Sequence, residues 1–357
     1  MQRRPTKVVS DGLRSTAARD PKAASGTGHD ANQAAPYAGK SAIEPAGPGE
    51  RSTTPPGPRT ASPPGRRSVT ARPDLAGHVP YSSPRPLVPV RLDTNESPYP
   101  PCGALRADLA KLAGAHDWHR YGDLDALALR RRLADRHGRT TEGVWVAAGV
   151  FELLAQLLAA FGGAGRTVGI AEPAWGGYRQ IAAATATTVL DGDRPDSRAD
   201  VVVVCSPHNP SGHVTPVETV ARRCAGQPAS LVVVDEAYGE FSAAPSAAGL
   251  LDEFTNLAVV RTFSKALALA DLRLGYLLAH PEVVGVLPRV RVPWQPSGFA
   301  QAAGRLALDY LDDVAATVAL VVRERQRLYD ALAVLPGVRV LPSEANFLCF
   351  ATPRPVG

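Results

Sequence analysis

Lysine is scarce in this chain, with 5 lysines among 39 Lys and Arg residues, so the setting of Lys265 is informative. It lies in Arg261-Thr262-Phe263-Ser264-Lys265, directly after the apolar run Leu257–Val260, and Arg273 follows in Arg273-Leu274-Gly275-Tyr276. A lysine amine in water titrates near ~10.4 and is a poor nucleophile at neutral pH; burial or a cationic neighbour lowers that value and opens Schiff-base chemistry. Two further apolar runs also end in polar groups. Val201–Cys205 leads into Ser206-Pro207-His208-Asn209-Pro210-Ser211-Gly212, and Leu231–Val234 leads into Asp235-Glu236-Ala237-Tyr238. An amine, a carboxylate to hold a ring-nitrogen proton, a phenol and an amide to address a ring oxygen, and hydroxyl and guanidinium groups for a phosphate (Thr262, Ser264, Arg273) are the set that pyridoxal 5′-phosphate requires. The phosphate would also use backbone N–H groups at a helix start, expected at Gly149-Val150-Phe151-Glu152.

These residues meet only if the elements before them run side by side. The apolar runs predict strands at Val144–Ala148, Thr167–Ala171, Thr187–Leu190, Asp200–Cys205, Leu231–Asp235, Leu257–Thr262 and Leu274–Ala279, alternating with helical stretches. Continuous Val-rich runs such as Val201–Val204 suit strands covered on both faces, so the expected fold is α/β, with a mostly parallel seven-stranded sheet flanked by helices. Ligands of such sheets bind beyond the carboxyl ends of the strands, which is where Asn209, Asp235, Tyr238 and Lys265 would converge. Helical patterning covers Ala104–Leu112 and Leu124–His137, with Asp123 as the expected N-cap and Gly138 as the expected stop. One helix is expected from Pro296 toward Arg327, and a last strand from Asn346 to Phe350.

Composition narrows the function classes. Residues 1–85 carry 13 Lys and Arg against 6 Asp and Glu, whereas the rest carries 26 against 28. The basic character therefore belongs to the Pro-, Gly- and Ser-rich first 85 residues, which are expected to be disordered and dispensable for folding and cofactor binding. The body offers no basic field for nucleic acid. No apolar run is long enough for a membrane span, and no apolar segment reads as a secretory signal. The four cysteines, Cys102, Cys205, Cys224 and Cys349, lack metal or disulfide spacing, which together points to a cytoplasmic protein. His116 and His119 are expected to be an exposed helix end rather than metal ligands, and Arg130-Arg131-Arg132 a solvated face.

The motifs Asn95-Glu96-Ser97-Pro98-Tyr99, Arg120-Tyr121-Gly122-Asp123, Pro207-His208-Asn209-Pro210-Ser211-Gly212, Asp235-Glu236-Ala237-Tyr238, Ser264-Lys265 through Tyr276, and Ser343-Glu344-Ala345-Asn346-Phe347 share one context. From about Leu92 to Phe350 the chain resembles the fold-type I PLP-dependent aminotransferases, most closely the histidinol-phosphate aminotransferase family. The resemblance implies Lys265 as Schiff-base lysine and proton shuttle, Asp235 as partner of the pyridine nitrogen, and Asn209 and Tyr238 at the ring hydroxyl. It implies Ser264 and Arg273 at the phosphate with Thr262 nearby, and Trp175 stacked on the cofactor. Asn95 and Tyr99 would line the substrate entrance, and Tyr121 would reach the phosphate in a neighbouring subunit, giving a homodimer with shared active sites. The reaction implied is amino-group transfer from histidinol phosphate or an aromatic amino acid to 2-oxoglutarate; a threonine-phosphate decarboxylase or a specialised-pathway aminotransferase is the sister reading.

Three departures from the family pattern stand out. Val150 and Phe151 replace the usual polar pair after Gly149, and Asp271 replaces a glycine before Arg273. The third concerns the substrate clamp: in the family an arginine beyond the Ala-Asn-Phe strand holds the substrate's anionic group, whereas Arg339 and Arg354 do not match its position. The division expected is an extension at 1–85, an arm and part of a small domain at 86–140, a large cofactor domain at 141–295, and an interdomain helix with an incomplete small α/β domain at 296–357. A catalytically impaired, truncated PLP-fold protein is the reading of another class.

Overall fold

The computed structural model describes residues 69–82, 88, 90–192 and 198–353. In chain order its elements are α1 Gly103–Ala115, α2 Leu127–His137, β1 Val144–Ala147, α3 Gly149–Phe161, β2 Thr167–Ile170, α4 Gly177–Ala184, β3 Thr188–Asp191 and β4 Val201–Cys205. There follow α5 Val217–Gly226, β5 Leu231–Asp235, β6 Leu257–Thr262, β7 Gly275–Ala279, α6 Pro281–Val284, α7 Gly298–Ala307, α8 Leu311–Ala333, β8 Arg339–Val340 and β9 Phe350–Ala351.

The first seven strands form one sheet in the order β1-β7-β6-β5-β4-β2-β3. All pairs are parallel except those of β7, which runs antiparallel to both β1 and β6. The expected mostly parallel seven-stranded sheet is therefore the one observed. Its valine runs divide by parity: Val232 and Val234 enter one core with Leu129, Leu133, Val220 and Val321, and Val233 enters the other with Leu153, Leu157 and Ile181. Helices thus cover both faces, as continuous apolar strands require. Registry places the chemistry. Cys205 of β4 lies beside Asp235 of β5, and Asp235 beside Val260 of β6, so β6 and the loop after it carry Thr262, Ser264 and Lys265 past the same rim.

Four expectations are corrected. The single helix from Pro296 to Arg327 is two, because the chain turns aside at Leu308-Asp309-Tyr310. There Arg132 of α2 donates to Asp309 at 2.6 Å and the Tyr310 hydroxyl donates to Asp108 of α1. The strand expected at Asn346–Phe350 is irregular over Asn346–Cys349, and only Phe350–Ala351 pairs, antiparallel with Arg339–Val340. Asp123 accepts from the N–H groups of Asp125 and Leu127, but α2 starts at Leu127, after a left-handed Ala126, and Gly138 stops it as expected. Arg130 is no solvated face residue: it donates to the carbonyls of Val144 and Thr141 and lies over the Trp145 ring.

Of the extension expected to be disordered, residues 1–68 and 83–85 lie outside the described residues. Residues 69–82 are an ordered, mostly exposed strap with a 3-10 turn at Pro73–Leu75. Among the described residues no helix is long and apolar enough to cross a membrane, and no group of three or more His, Cys, Asp or Glu residues is placed to hold a metal.

Candidate active site

A cleft of about 1270 Å³ opens beyond the carboxyl ends of β4, β5 and β6. Lys265, Asp235, Tyr238, Asn209, Ser264, Thr262 and Arg273 all line it, and so do Val150, Phe151, Trp175, Asn95 and Tyr99. Lys265 Nζ donates to the carbonyl of Thr94 at 2.7 Å and stands 5.7 Å from the Tyr238 ring centroid. Burial brings its amine down to about 8; the positive charge of Arg273 adds to the lowering, while Glu96 and Asp235 oppose it. An amine at that value is partly neutral near physiological pH, as a nucleophilic lysine must be.

Asp235 is 3% exposed. Its Oδ2 accepts from the Tyr178 hydroxyl at 2.7 Å and its Oδ1 from the Ala237 N–H at 3.0 Å. Burial raises its pKa, and these two donors work against that rise by stabilising the ionised form. Beside it, burial and the Asp235 charge push the Cys205 thiol up to about 12, so this cysteine remains a neutral packing group. The Tyr238 hydroxyl accepts from Asn95 Nδ2 at 3.1 Å and from Asn209 Nδ2 at 3.3 Å. A phenol oxygen that accepts twice still has its own O–H to donate into the cleft. Behind the rim, Arg261 joins β6 to the segment after β5 by pairing with Glu236 at 2.6 Å and Glu240 at 3.3 Å.

The other end of the cleft is built for an anion. Arg273 has a left-handed backbone (φ 48°) and its Nη1 donates to Ser264 Oγ at 3.3 Å. Gly149 begins α3 with φ 84°, and a Cβ built there would come 2.7 Å from Arg273 Nη2. The guanidinium thus lies directly against the helix start, whose first-turn N–H groups have no intrahelical acceptor. Glu152 folds back to accept from the Ala148 N–H at 2.5 Å, which leaves the amides of Val150 and Phe151 for a ligand even though their side chains are apolar. Thr262 lines the cleft, and its hydroxyl accepts from the Ser264 N–H at 3.0 Å, which shapes the turn. Asp271 lines the exposed rim. The donor set and the glycine cradle fit pyridoxal 5′-phosphate: a carboxylate for the ring nitrogen, an amine, a phenol, and an anion pocket at the end with Arg273.

Three placements qualify the sequence reading. Tyr121 lies outside the cleft, 79% exposed and stacked on Trp294 at 4.5 Å. Its loop is pressed on α7 at a glycine pair, since a Cβ on Gly298 would lie 2.9 Å from Gly122 Cα. Arg339 is exposed in β8, and Arg354 lies outside the described residues. Tyr178, Thr94, Asn346 and Phe347 are contributors that the sequence reading did not assign. Asn346 Nδ2 donates to the Asn95 carbonyl at 3.0 Å, and Phe347 meets Tyr238 edge-on at 5.0 Å, which is why this stretch is irregular.

The profile of the family described as aminotransferase class I and II matches residues 88–356. A histidinol-phosphate aminotransferase of Mycobacterium sp. (strain JLS) is 44% identical over 303 residues, covering 78% of this chain and 80% of that protein. The crystal structure of histidinol-phosphate aminotransferase from Sinorhizobium meliloti in complex with pyridoxal-5′-phosphate superposes with a TM-score of 0.67 at 27% identity, over 73% of this chain and 75% of that one. The L-threonine-O-3-phosphate decarboxylase of Porphyromonas gingivalis gives a TM-score of 0.61 at 25% identity, over 68% and 76%. A rim of half-buried Lys265 and buried Asp235 in the expected sheet, a family profile matched over most of the chain and a relative of this identity lead to one conclusion: the chain belongs to the aminotransferase class I and II family.

Proposed function

We propose that this pyridoxal-phosphate-dependent aminotransferase takes its amino group from histidinol phosphate and passes it to 2-oxoglutarate. The observation that carries the reading is the single cleft holding Lys265, with its amine lowered to about 8, together with buried Asp235 and the Arg273–Ser264 anion pocket. The mycobacterial relative supports histidinol phosphate as the donor.

Bound in the cleft, the cofactor supplies an electron-withdrawing ring that lets the substrate Cα release a proton. This chain's residues do the rest. Asp235, whose ionised form is favoured by the hydrogen bonds from Tyr178 and the Ala237 N–H, would hold a proton at the ring nitrogen. The Tyr238 hydroxyl, fixed by Asn95 and Asn209, donates to the ring oxygen. Arg273, Ser264 and the first-turn amides of α3 anchor the phosphate. Lys265 Nζ takes and returns the Cα proton, and Trp175 walls the ring. In a homodimer, exposed Tyr121 would complete the phosphate site of the second subunit. Residues 141–295 serve as the cofactor domain, with 86–140 and 296–357 forming the arm and small domain. The reaction is cytoplasmic.

Adding pyridoxal 5′-phosphate to the purified chain is expected to give a visible absorption band that bleaches on addition of histidinol phosphate. Lys265→Ala should abolish cofactor trapping by borohydride, and trapping that survives in this variant would remove Lys265 from its role. A band that ignores histidinol phosphate would overturn the donor assignment. Carbon dioxide release from threonine O-3-phosphate would select the second reading, which the structural likeness to the decarboxylase favours.

A further inference from the structure

Residues 72–82 lie outside the region matched by the family profile, which begins at residue 88, yet they belong to the same compact unit as the body, Val69–Gly357. Two anchors tie them to α4. Arg72 donates to the carbonyl of Ala183 at 2.6 Å and to that of Ala184 at 3.4 Å, the last carbonyls of that helix. The Ala183 carbonyl also accepts from the Ala186 N–H at 3.2 Å, and a cation at this helix end is favoured by the helix dipole. Nine residues on, the Tyr81 N–H donates to Gln180 Oε1 at 2.5 Å. Between the anchors, Asp74 pairs with Arg72 at 3.2 Å across the 3-10 turn.

The anchoring has a directed result. Tyr81 and Ser82 line the mouth of the cleft, and the Tyr81 ring meets Trp175 edge-on at 5.8 Å and 74°. Trp175 already has Phe151 edge-on at 5.7 Å and Tyr178 edge-on at 5.3 Å. Tyr81 therefore adds a third aromatic contact from the outer side. Edge-to-face contacts of this kind restrict an indole to one orientation.

We propose that residues 72–82 are a strap that seats Tyr81 as a positioning residue for Trp175 and as the outer wall of the cofactor cleft. The proposal rests on the reading of the cleft as a pyridoxal 5′-phosphate site. The strap is mostly exposed, so variants in it leave the folded body intact, and what they change is the freedom of Trp175.

The test uses the full-length protein. The dissociation constant of pyridoxal 5′-phosphate is measured by titration without substrate, for wild type, Tyr81→Ala, Tyr81→Phe and Arg72→Ala. Tyr81→Ala is expected to weaken cofactor binding by roughly 2- to 10-fold, the scale of one aromatic edge contact. Tyr81→Phe keeps the ring and is expected to bind as wild type does. Arg72→Ala frees the anchor and is expected to weaken binding in the same direction as Tyr81→Ala. Wild-type affinity in Tyr81→Ala overturns the proposal while the cofactor site stands. Wild-type affinity in Arg72→Ala beside a weakened Tyr81→Ala overturns the anchored strap. Failure of the wild-type chain to bind the cofactor overturns both this proposal and the reading beneath it.

Discussion

Lys265 has opposing charges around it, and burial decides the outcome: the amine falls from 10.5 to about 8 although Glu96 and Asp235 pull upward. Cofactor capture requires the neutral amine, so its rate should climb about tenfold per pH unit below 8 and level off above it. Stopped-flow absorbance from pH 6 to pH 10 checks this, and a rate still climbing at pH 10 would mean an unshifted lysine. The same shift gives a stability signature. Between about 8 and 10.5 the unfolded chain holds a proton that the folded chain has released, so the cofactor-free protein gains stability as pH rises through that window. At this scale the sequence was most legible where a side chain follows an apolar run. Asn209, Asp235, Tyr238 and Lys265 each sit at or just after a strand end, where the fold class alone assigns a position. Tyr178 was hidden because it sits on α4, where a tyrosine with helical spacing reads as core until its hydroxyl is seen on Asp235.

Among the elements, α3 shows how a helix start becomes an anion site without polar side chains. Its apolar stripe, Val150, Leu153, Leu154, Leu157 and Leu158, buries the helix in the core, and Gly149 lets the Arg273 guanidinium come against the first turn. Gly149→Ala would place a Cβ on that guanidinium and strain a backbone at φ 84°. A hydrogen bond to a charged group contributes about 1.5–3 kcal/mol, so cofactor affinity should fall about tenfold or more. A titration on protein whose circular dichroism is unchanged checks this, and a wild-type dissociation constant would detach Arg273 from the phosphate site. The seven strands of the main sheet were legible to within a residue or two because their apolar runs are continuous, whereas the short β8–β9 pair was not. The break at Leu308–Tyr310 was not, because Arg132 and Asp108, which hold it, lie far away in sequence. The strap at 72–82 escaped for the same reason: its composition reads as disorder, and hydrogen bonds from Arg72 and Tyr81 to α4 hold it.

At the scale of the whole molecule, Tyr121 lies outside the cofactor cleft of its own subunit, exposed and stacked on Trp294. If it serves a second copy, a pair carrying Tyr121→Ala in one subunit and Lys265→Ala in the other contains one fully wild-type site. Such a differently tagged heterodimer, co-expressed and purified through both tags, should recover about half the wild-type turnover, as one of two symmetric sites would. A heterodimer no more active than its impaired parents would show that Tyr121 does not cross the interface.

The glycine pair beneath Tyr121 has its own consequence. Gly122 and Gly298 bring two backbones together with no room for a methyl group. Every nonsynonymous single-base change in a glycine codon that keeps the chain intact adds at least a Cβ. For these two codons no amino-acid-changing neighbour keeps the contact as it is, so any replacement requires the two backbones to separate.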